Sequence, residues 1–362
     1  MRELFRSYYR PTKEELSELW QEGTFSFDSN ILLHIYSYTP KTRERFFEIL
    51  HKIQDRIWLP NQVAYEYQNN RVKVVLKELK AYSEVHKILD ESLEDLKNNI
   101  RKYSKHSFIK TNEIVATVER AFKRVKSNLT KANQEHPDLL QSDDIREKIT
   151  ELLEGKVGEP YSEEDLEEIY KEAERRFNYR KPPGYKDATK NIPNKYGDAV
   201  LWFQLIEYSK FKAKPLIFVT DDMKEDWWLE YEGKTISPRP ELAQEMASKT
   251  GVQFYMYSAD QFMAHAEEFL ELPEQQAAIE EAREIRLRDA AAQGGRLIQS
   301  SLLRSVEYDS LNKVLEIELH HGEIYQYVGV PAAVYKGLMN AESYGKYFNA
   351  QIKGIYPYRQ LR

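Results

Sequence analysis

The chain has 362 residues, 41% hydrophobic and 12% aromatic, with a formal net charge of −6 and no cysteine. Its length allows two domains and a substantial core. The absence of cysteine excludes disulfides and thiolate metal sites, so a bound cation would be a hard one held by carboxylates and imidazole. With a negative overall charge, any surface that attracts nucleic acid must be local.

The first residues, MRELFRSYYRPTKEEL, carry no apolar signal core, and no run approaches the roughly 20 apolar residues of a membrane span. The expectation is a cytoplasmic protein without membrane contact. Thr12 to Gln21 reads as a short helix, with Thr12 and Glu15 at capping-box spacing. Thr24 to Ile35, TFSFDSNILLHI, reads as a buried strand running into a helix, with Asp28 at the strand's end. A carboxylate in such surroundings costs several kcal/mol unless it is partnered. Two readings stand side by side: Asp28 caps the following helix, or it belongs to a ligand site at the carboxyl end of a sheet strand. Thr42 to Ile53 is an amphipathic helix, and RIWLP reads as a second short strand ended by Pro60.

From Asn61 the pattern is helical, with Glu66 one turn in. Residues 71–180 are charged and helical, with apolar positions at a 3.6-residue period. They predict a helical hairpin or small bundle inserted into an α/β domain. A loop rich in proline and glycine, RKPPGYKDATKNIPNKYGD, ends at Asp198, the first-turn acid of a helix apolar on nearly all sides. KPLIFVT is a strand of the parallel-sheet kind, running directly into Asp221, Asp222 and, after a turn, Asp226. A helix from Pro240, a strand at Val252 to Tyr257 and a helix capped by Ser258 and Gln261 complete a mostly parallel α/β sheet between helices. A charged helix from Glu274 to Gln293 reads as a linker ended by Gly294 and Gly295. Alternating strands and two short helices then form a small C-terminal α+β domain.

Asp28, Glu66, Asp198 and Asp222 share one description: acids at the ends of strands or the starts of the helices that follow. Gathered at one sheet edge they would repel unless cations lay among them. Oxygen ligands suit Mg²⁺ or Mn²⁺, and such a cluster can activate water for in-line attack on a phosphodiester. The segments FSFDSNILL, PNQVAYEY, PPGYKD, YGDAVLWFQLIE and IFVTDDMKEDWW resemble the PIN superfamily of metal-dependent ribonucleases, and more narrowly its bacterial PIN-like family with a long helical insertion. The resemblance implies that Asp28, Glu66, Asp198 and Asp222 are the catalytic, metal-binding acids, with Asp221 an alternative fourth ligand and Asp187 and Asp226 auxiliaries. It implies endonucleolytic hydrolysis of single-stranded RNA, with DNA a further candidate, leaving a 3′-hydroxyl and a 5′-phosphate. Arg101, Lys102, Lys105, Lys123, Arg124 and Lys126 on the insertion are expected to guide the nucleic acid, against the plainer reading of a solvated helix face.

GEIYQYVGVP, within Ser300 to Leu361, resembles the KTSC domain, a unit also found at the end of some lysyl-tRNA synthetases. Tyr325 and Tyr327 fall on one strand face, where they either stack bases or fill the core. The division is then 1–272 for the PIN-like nuclease domain, 273–295 for the helical linker and 296–362 for the KTSC domain. A homo-oligomer or a partner protein could use the insertion or the KTSC domain, and the biological setting could be toxin-like arrest, phage defence or RNA processing. The competing class is a non-catalytic nucleic-acid-binding or scaffold protein that keeps the fold.

Overall fold

The computed structural model of the chain describes all residues except 2–4, 232–233, 293–302, 310–312, 320–322, 340, 342–343 and 361–362. The glycine pair Gly294-Gly295, the 295/296 boundary, most of the turn expected at Asp309 to Asn312, and His321-Gly322 lie outside the described residues. In chain order the elements begin with α1 (Lys13–Glu22), β1 (Thr24–Phe27), α2 (Ser29–His34), α3 (Pro40–Lys52), α4 (Asn61–Arg101), α5 (Thr111–Glu135) and α6 (Asp144–Leu153). They continue with α7 (Glu163–Asn178), α8 (Gly197–Lys212), β2 (Leu216–Val219), β3 (Trp228–Tyr231), β4 (Lys234–Pro238), α9 (Pro240–Thr250), β5 (Phe254–Tyr257), α10 (Ala259–Phe269) and α11 (Gln276–Ala292). The C-terminal part holds β6 (Leu303–Asp309), β7 (Val314–Leu319), β8 (Ile324–Val328), α12 (Ala332–Met339), α13 (Tyr344–Gln351) and β9 (Tyr358–Gln360). The residues fall into two compact units, Met1–Asp28 with Glu159–Arg362, and Ser29–Gly158.

In the first unit β1, β2 and β5 form a parallel three-stranded sheet in that order, with Thr24 opposite Leu216 and Leu216 opposite Phe254. All four residues of β1 and all four of β2 are buried, as the continuous apolar run of β2 predicts; β1 buries Thr24 and Ser26 along with its two phenylalanines. The capping box of Thr12 and Glu15 starts α1. Trp20 on that helix stacks against Phe262 and Phe269 of α10, sealing one face of the sheet. α8 is buried along Ala199, Val200, Leu201, Trp202, Leu205 and Ile206, as a helix apolar on most sides must be. The last helix of the expected insertion, α7, packs on α8 through Ala173 and Phe177. It belongs to this core and not to a separate bundle, because its apolar stripe meets that of α8.

Three further features depart from the sequence reading. RIWLP is no sheet strand: Leu59 makes one parallel bridge, to Val157, within the second unit. β3 and β4 form an antiparallel hairpin that no alternation announced. The helix read as a linker packs on α10, with Ala278, Ala282 and Ile285 buried, because its alanines leave a flat face for close approach.

β6 to β9 make an antiparallel sheet in sequence order, the short β9 being unanticipated. With α12 and α13 they enclose a core of Leu315, Ile317, Tyr327, Val330, Leu338, Phe348 and Ile352. In the second unit α4 runs for 41 residues, and α5 lies antiparallel along its outer part. Lys97 pairs with Glu119, and Tyr82 with His136, so the hairpin predicted within 71–180 is present. Among the described residues no helix is long and apolar enough to cross a membrane.

Candidate active site

The strand ends place the acids of the first unit. β1 ends at Phe27, and Asp28 follows with its N–H donating to Val219 O of β2, 2.9 Å. β2 ends at Val219, and the next residue, fully buried Thr220, donates its hydroxyl to Asp28 Oδ2 at 2.6 Å. The same Thr220 oxygen accepts the Asp222 N–H at 3.0 Å, and Asp222 Oδ1 accepts the Lys224 N–H at 2.9 Å. This local bonding turns the chain after β2 and swings the Lys224 side chain back over the sheet edge.

Lys224 Nζ then lies 2.7 Å from Asp222 Oδ2, 3.0 Å from Asp187 Oδ2 and 3.2 Å from Asp198 Oδ2. Three acids from three separate segments converge on one ammonium group. Burial raises the Asp198 carboxyl to about 8, against the pull of Lys224 and with the charges of Asp222, Asp187 and Asp226 adding to the rise. The same carboxylates push Lys224 well above the usual lysine range, although burial alone would lower it. The repulsion expected among the acids is therefore met by a residue of the chain itself.

Asp187 reaches this point because its loop is pinned from below. Asp226 is fully buried, and its Oδ2 accepts the N–H groups of Gly184 (3.0 Å) and Lys186 (2.9 Å). Gly184 has φ +96°, and a Cβ there would meet Phe177 at 3.1 Å and the Asp198 Cβ at 3.3 Å, so only glycine lets the loop close over the start of α8. A second buried group anchors the loop's entrance. Arg176 donates to Glu245 through two nitrogens, at 2.9 and 2.8 Å, and to the carbonyl of Pro182. Burial would raise the Glu245 carboxyl, but Arg176, Lys181 and Trp202 outweigh it and hold it down at about 2.

The residues named from the sequence thus separate. Asp187, Asp198 and Asp222 share Lys224, and Asp28 joins them through Thr220. Of the doubled acids, Asp222 faces the cluster, while Asp221 Oδ1 accepts the Ala259 N–H at 2.8 Å and ties β2 to the start of α10. Asp226 bonds to the loop backbone and reaches the cluster through its charge. Glu66 lies on α4 in the second unit, where Ser29 and Gln62 donate to it at 2.9 and 2.7 Å. Lys224 and Thr220 were missed, although Lys224 stands two residues after Asp222 in the motif TDDMKEDWW.

The donor set is all oxygen, which fits a hard cation, and three of its members are already gathered about one positive charge. Among the described residues no three acidic or histidine side chains are spaced to hold a metal ion. The Lys224 ammonium lies between Asp187, Asp198 and Asp222, in the position a cation shared by these oxygens would need.

The nucleic-acid residues separate too. Arg101, Lys102 and Lys105 are exposed at the tip of the α4–α5 hairpin, and Lys123 and Arg124 are exposed on α5. Lys126 is committed to an ion pair with Asp90. Tyr327 corrects the stacking expectation: it is 2% exposed and packs edge-on against Phe348 in the C-terminal core. Tyr325 is half-buried, with its hydroxyl donating to Glu323 at 2.9 Å.

A family model described as a PIN-like domain matches residues 24–242, from β1 into α9. The chain belongs to the PIN-like domain family. The match covers β1, α8 and β2, which carry or precede Asp28, Asp198 and Asp222, and it spans the helical hairpin. A model of the KTSC domain matches residues 299–356. An uncharacterized protein of Stutzerimonas stutzeri is 43% identical over 56 residues, 16% of this chain and 79% of that protein. Lysine–tRNA ligases of Trichormus variabilis and a Nostoc species are each 38% identical over 63 residues; the chain spans 11% of their length and 17% of its own. A crystal structure of a KTSC domain protein from Yersinia pestis is 38% identical, covers 18% of this chain and 92% of that one, and has a TM-score of 0.17.

Proposed function

We propose that this PIN-like protein is a metal-dependent endoribonuclease whose cation is held by Asp198, Asp222 and Asp28, with the KTSC domain as an RNA- or partner-binding module. The PIN-like fold is of nuclease type. The observation that carries the reading is the convergence of Asp187, Asp198 and Asp222 on one positive point at the end of β2.

A bound Mg²⁺ or Mn²⁺ would lower the pKa of water and neutralise charge on a phosphodiester. The chain's own part is positional. Thr220 fixes the Asp28 carboxylate, and the loop held by Asp226 fixes Asp187 beside the cluster. Lys224 holds Asp187, Asp198 and Asp222 together and, were a cation to take its place among them, would supply an ammonium to pair with a phosphate oxygen. The competing reading, a non-catalytic binding protein, draws on the same Lys224, which satisfies the acids without any metal.

The test is cleavage of labelled single-stranded RNA in Mn²⁺ by wild type and Asp198→Asn, with a chelator control. Cleavage by wild type alone, abolished by chelator, supports the reading. Equal cleavage by both proteins means a contaminating nuclease, and no cleavage by either across several RNAs and DNA favours the binding protein.

A further inference from the structure

We infer that the outer face of the α4–α5 hairpin is a homodimer interface, on which a second copy of this chain packs antiparallel to form a four-helix bundle. The hairpin has two unlike sides. Lys97 and Glu119 (3.0 Å), Lys126 and Asp90, and Thr130 and His86 (3.3 Å) bridge the helices along one side. At about 100° per residue, Val85, Ile88 and Leu96 of α4 fall within an arc of about 80° pointing away from Asp90 and Lys97. Ile114 and Val125 of α5 share an arc turned away from Glu119 and Lys126 in the same sense.

These five are 41%, 59%, 39%, 43% and 50% exposed. They make one apolar strip across both helices, beyond the half-buried seam where the helices meet. Two helices alone cannot bury such a strip. From residue 76 to 135 only Thr111 is buried among the described residues.

Size and charge point to a second copy as the occupant. The 25 residues of α5 span about 37 Å, and two helices are about 20 Å wide. One face therefore offers about 740 Å², or about 1,500 Å² for a pair, within the range of stable interfaces. The hairpin tip carries Arg101, Lys102, Lys105 and Lys110 with no acid between them. At its base exposed Glu135, Asp138, Asp144 and Glu147 stand among exposed Lys131, Arg146 and Lys148. Tip against tip brings basic groups together with no acid among them, whereas tip against base gives each basic tip acids to meet, twice over, as an isologous two-fold contact requires. The two-fold axis then crosses the hairpin midway, near Ile88 and Val125.

Sedimentation equilibrium of the full chain at micromolar concentration tests this directly. The expected result is twice the chain mass for wild type and the chain mass for Ile88→Glu/Val125→Glu, with unchanged helical circular dichroism because both positions are half-exposed. The chain has no cysteine, so Ile88→Cys can be crosslinked cleanly with a short bis-maleimide. It should link to itself across the axis, whereas Lys105→Cys at the tip should not. A monomeric wild type, a double variant that stays dimeric, or a Lys105→Cys self-link each overturns the proposal. A monomeric wild type whose RNA binding falls in the double variant would assign the face to nucleic acid instead.

Discussion

The Thr220 hydroxyl donates to Asp28 Oδ2 at 2.6 Å and so ties the end of one parallel strand to the end of its neighbour. Because the same oxygen accepts the Asp222 N–H, one buried side chain sets the spacing of two candidate ligands. Thr220→Val keeps the shape and removes both bonds, leaving a buried carboxylate short of a donor. A loss of about 1 to 3 kcal/mol in urea unfolding is expected, with RNA cleavage falling more than the stability loss explains. Unchanged stability would mean that solvent replaces the bond.

Lys224 is held by three carboxylates, and its loss leaves them facing one another. Removing one partner from a buried charge cluster typically costs about 3 to 5 kcal/mol, and the partial exposure of this cluster places Lys224→Met toward the lower end. Its melting temperature in chelator should fall by several degrees, and Mn²⁺ should restore more of that loss than it adds to wild type. Asp198→Asn should do the reverse. The folded-state pKa of Asp198 is raised to about 8 from 3.8, so this group costs stability increasingly as pH rises between those values. Asp198→Asn in chelator should therefore match wild type near pH 4 and equal or exceed it at pH 8. Thermal melts at both pH values, with and without Mn²⁺, check the pair of variants together.

The ion pair between Arg176 and Glu245 makes the opposite pH statement. Glu245 is depressed from 4.5 to about 2, so its contribution is complete above about pH 4.5 and is lost as pH falls toward 2. Glu245→Gln should flatten the acid limb of the stability curve in that window. At neutral pH it should also cost about 3 to 5 kcal/mol by leaving Arg176 buried without its partner. An acid limb identical to wild type would move the titration to other carboxylates.

Lys123 and Arg124 are exposed on α5, apart from both the ion pairs of Lys97 and Lys126 and the apolar strip of the hairpin. Replacing both by Gln tests the guiding role without touching either. If each meets one phosphate, the slope of log K against log salt for single-stranded RNA should shrink by about 1.4. An unchanged slope reduces them to a solvated face.

The elements that could be read from sequence were those whose local pattern agrees with their burial. β2 is an unbroken apolar run and β1 an aromatic-rich one between helices, α1 and α10 carry capping boxes, and α8 is apolar on most sides. RIWLP has a strand's composition, but it makes isolated bridges at Ile57 and Leu59, the latter to Val157, in place of a ladder. The acids were visible as residue types in the right places, but their division of labour was not. Asp221, Asp222 and Asp226 lie within six residues of one another, and only the turn set by Thr220 decides which faces the cluster. The matching cation was hidden because a lysine two residues from an aspartate looks like a surface charge until that turn folds it back.

The two tyrosines of β8 pose the same difficulty, since alternation puts both on one face without saying which end of the strand is covered. The structure separates them: Tyr327 is packed against Phe348 and Tyr358, and Tyr325 touches only Tyr358 among these rings. Tyr327→Ala empties a core position and should cost about 3 to 5 kcal/mol of the C-terminal domain's stability. That loss would appear as a lowered melting transition while the rest of the chain melts as before. Tyr325→Ala should leave that transition near its wild-type temperature, so any loss of RNA affinity it causes in filter binding is attributable to the ring and not to unfolding. If Tyr327→Ala melts like wild type, the core assignment is wrong and base stacking by both rings returns. If Tyr325→Ala binds RNA like wild type, neither tyrosine carries binding, and the contribution of the KTSC domain lies on another of its surfaces.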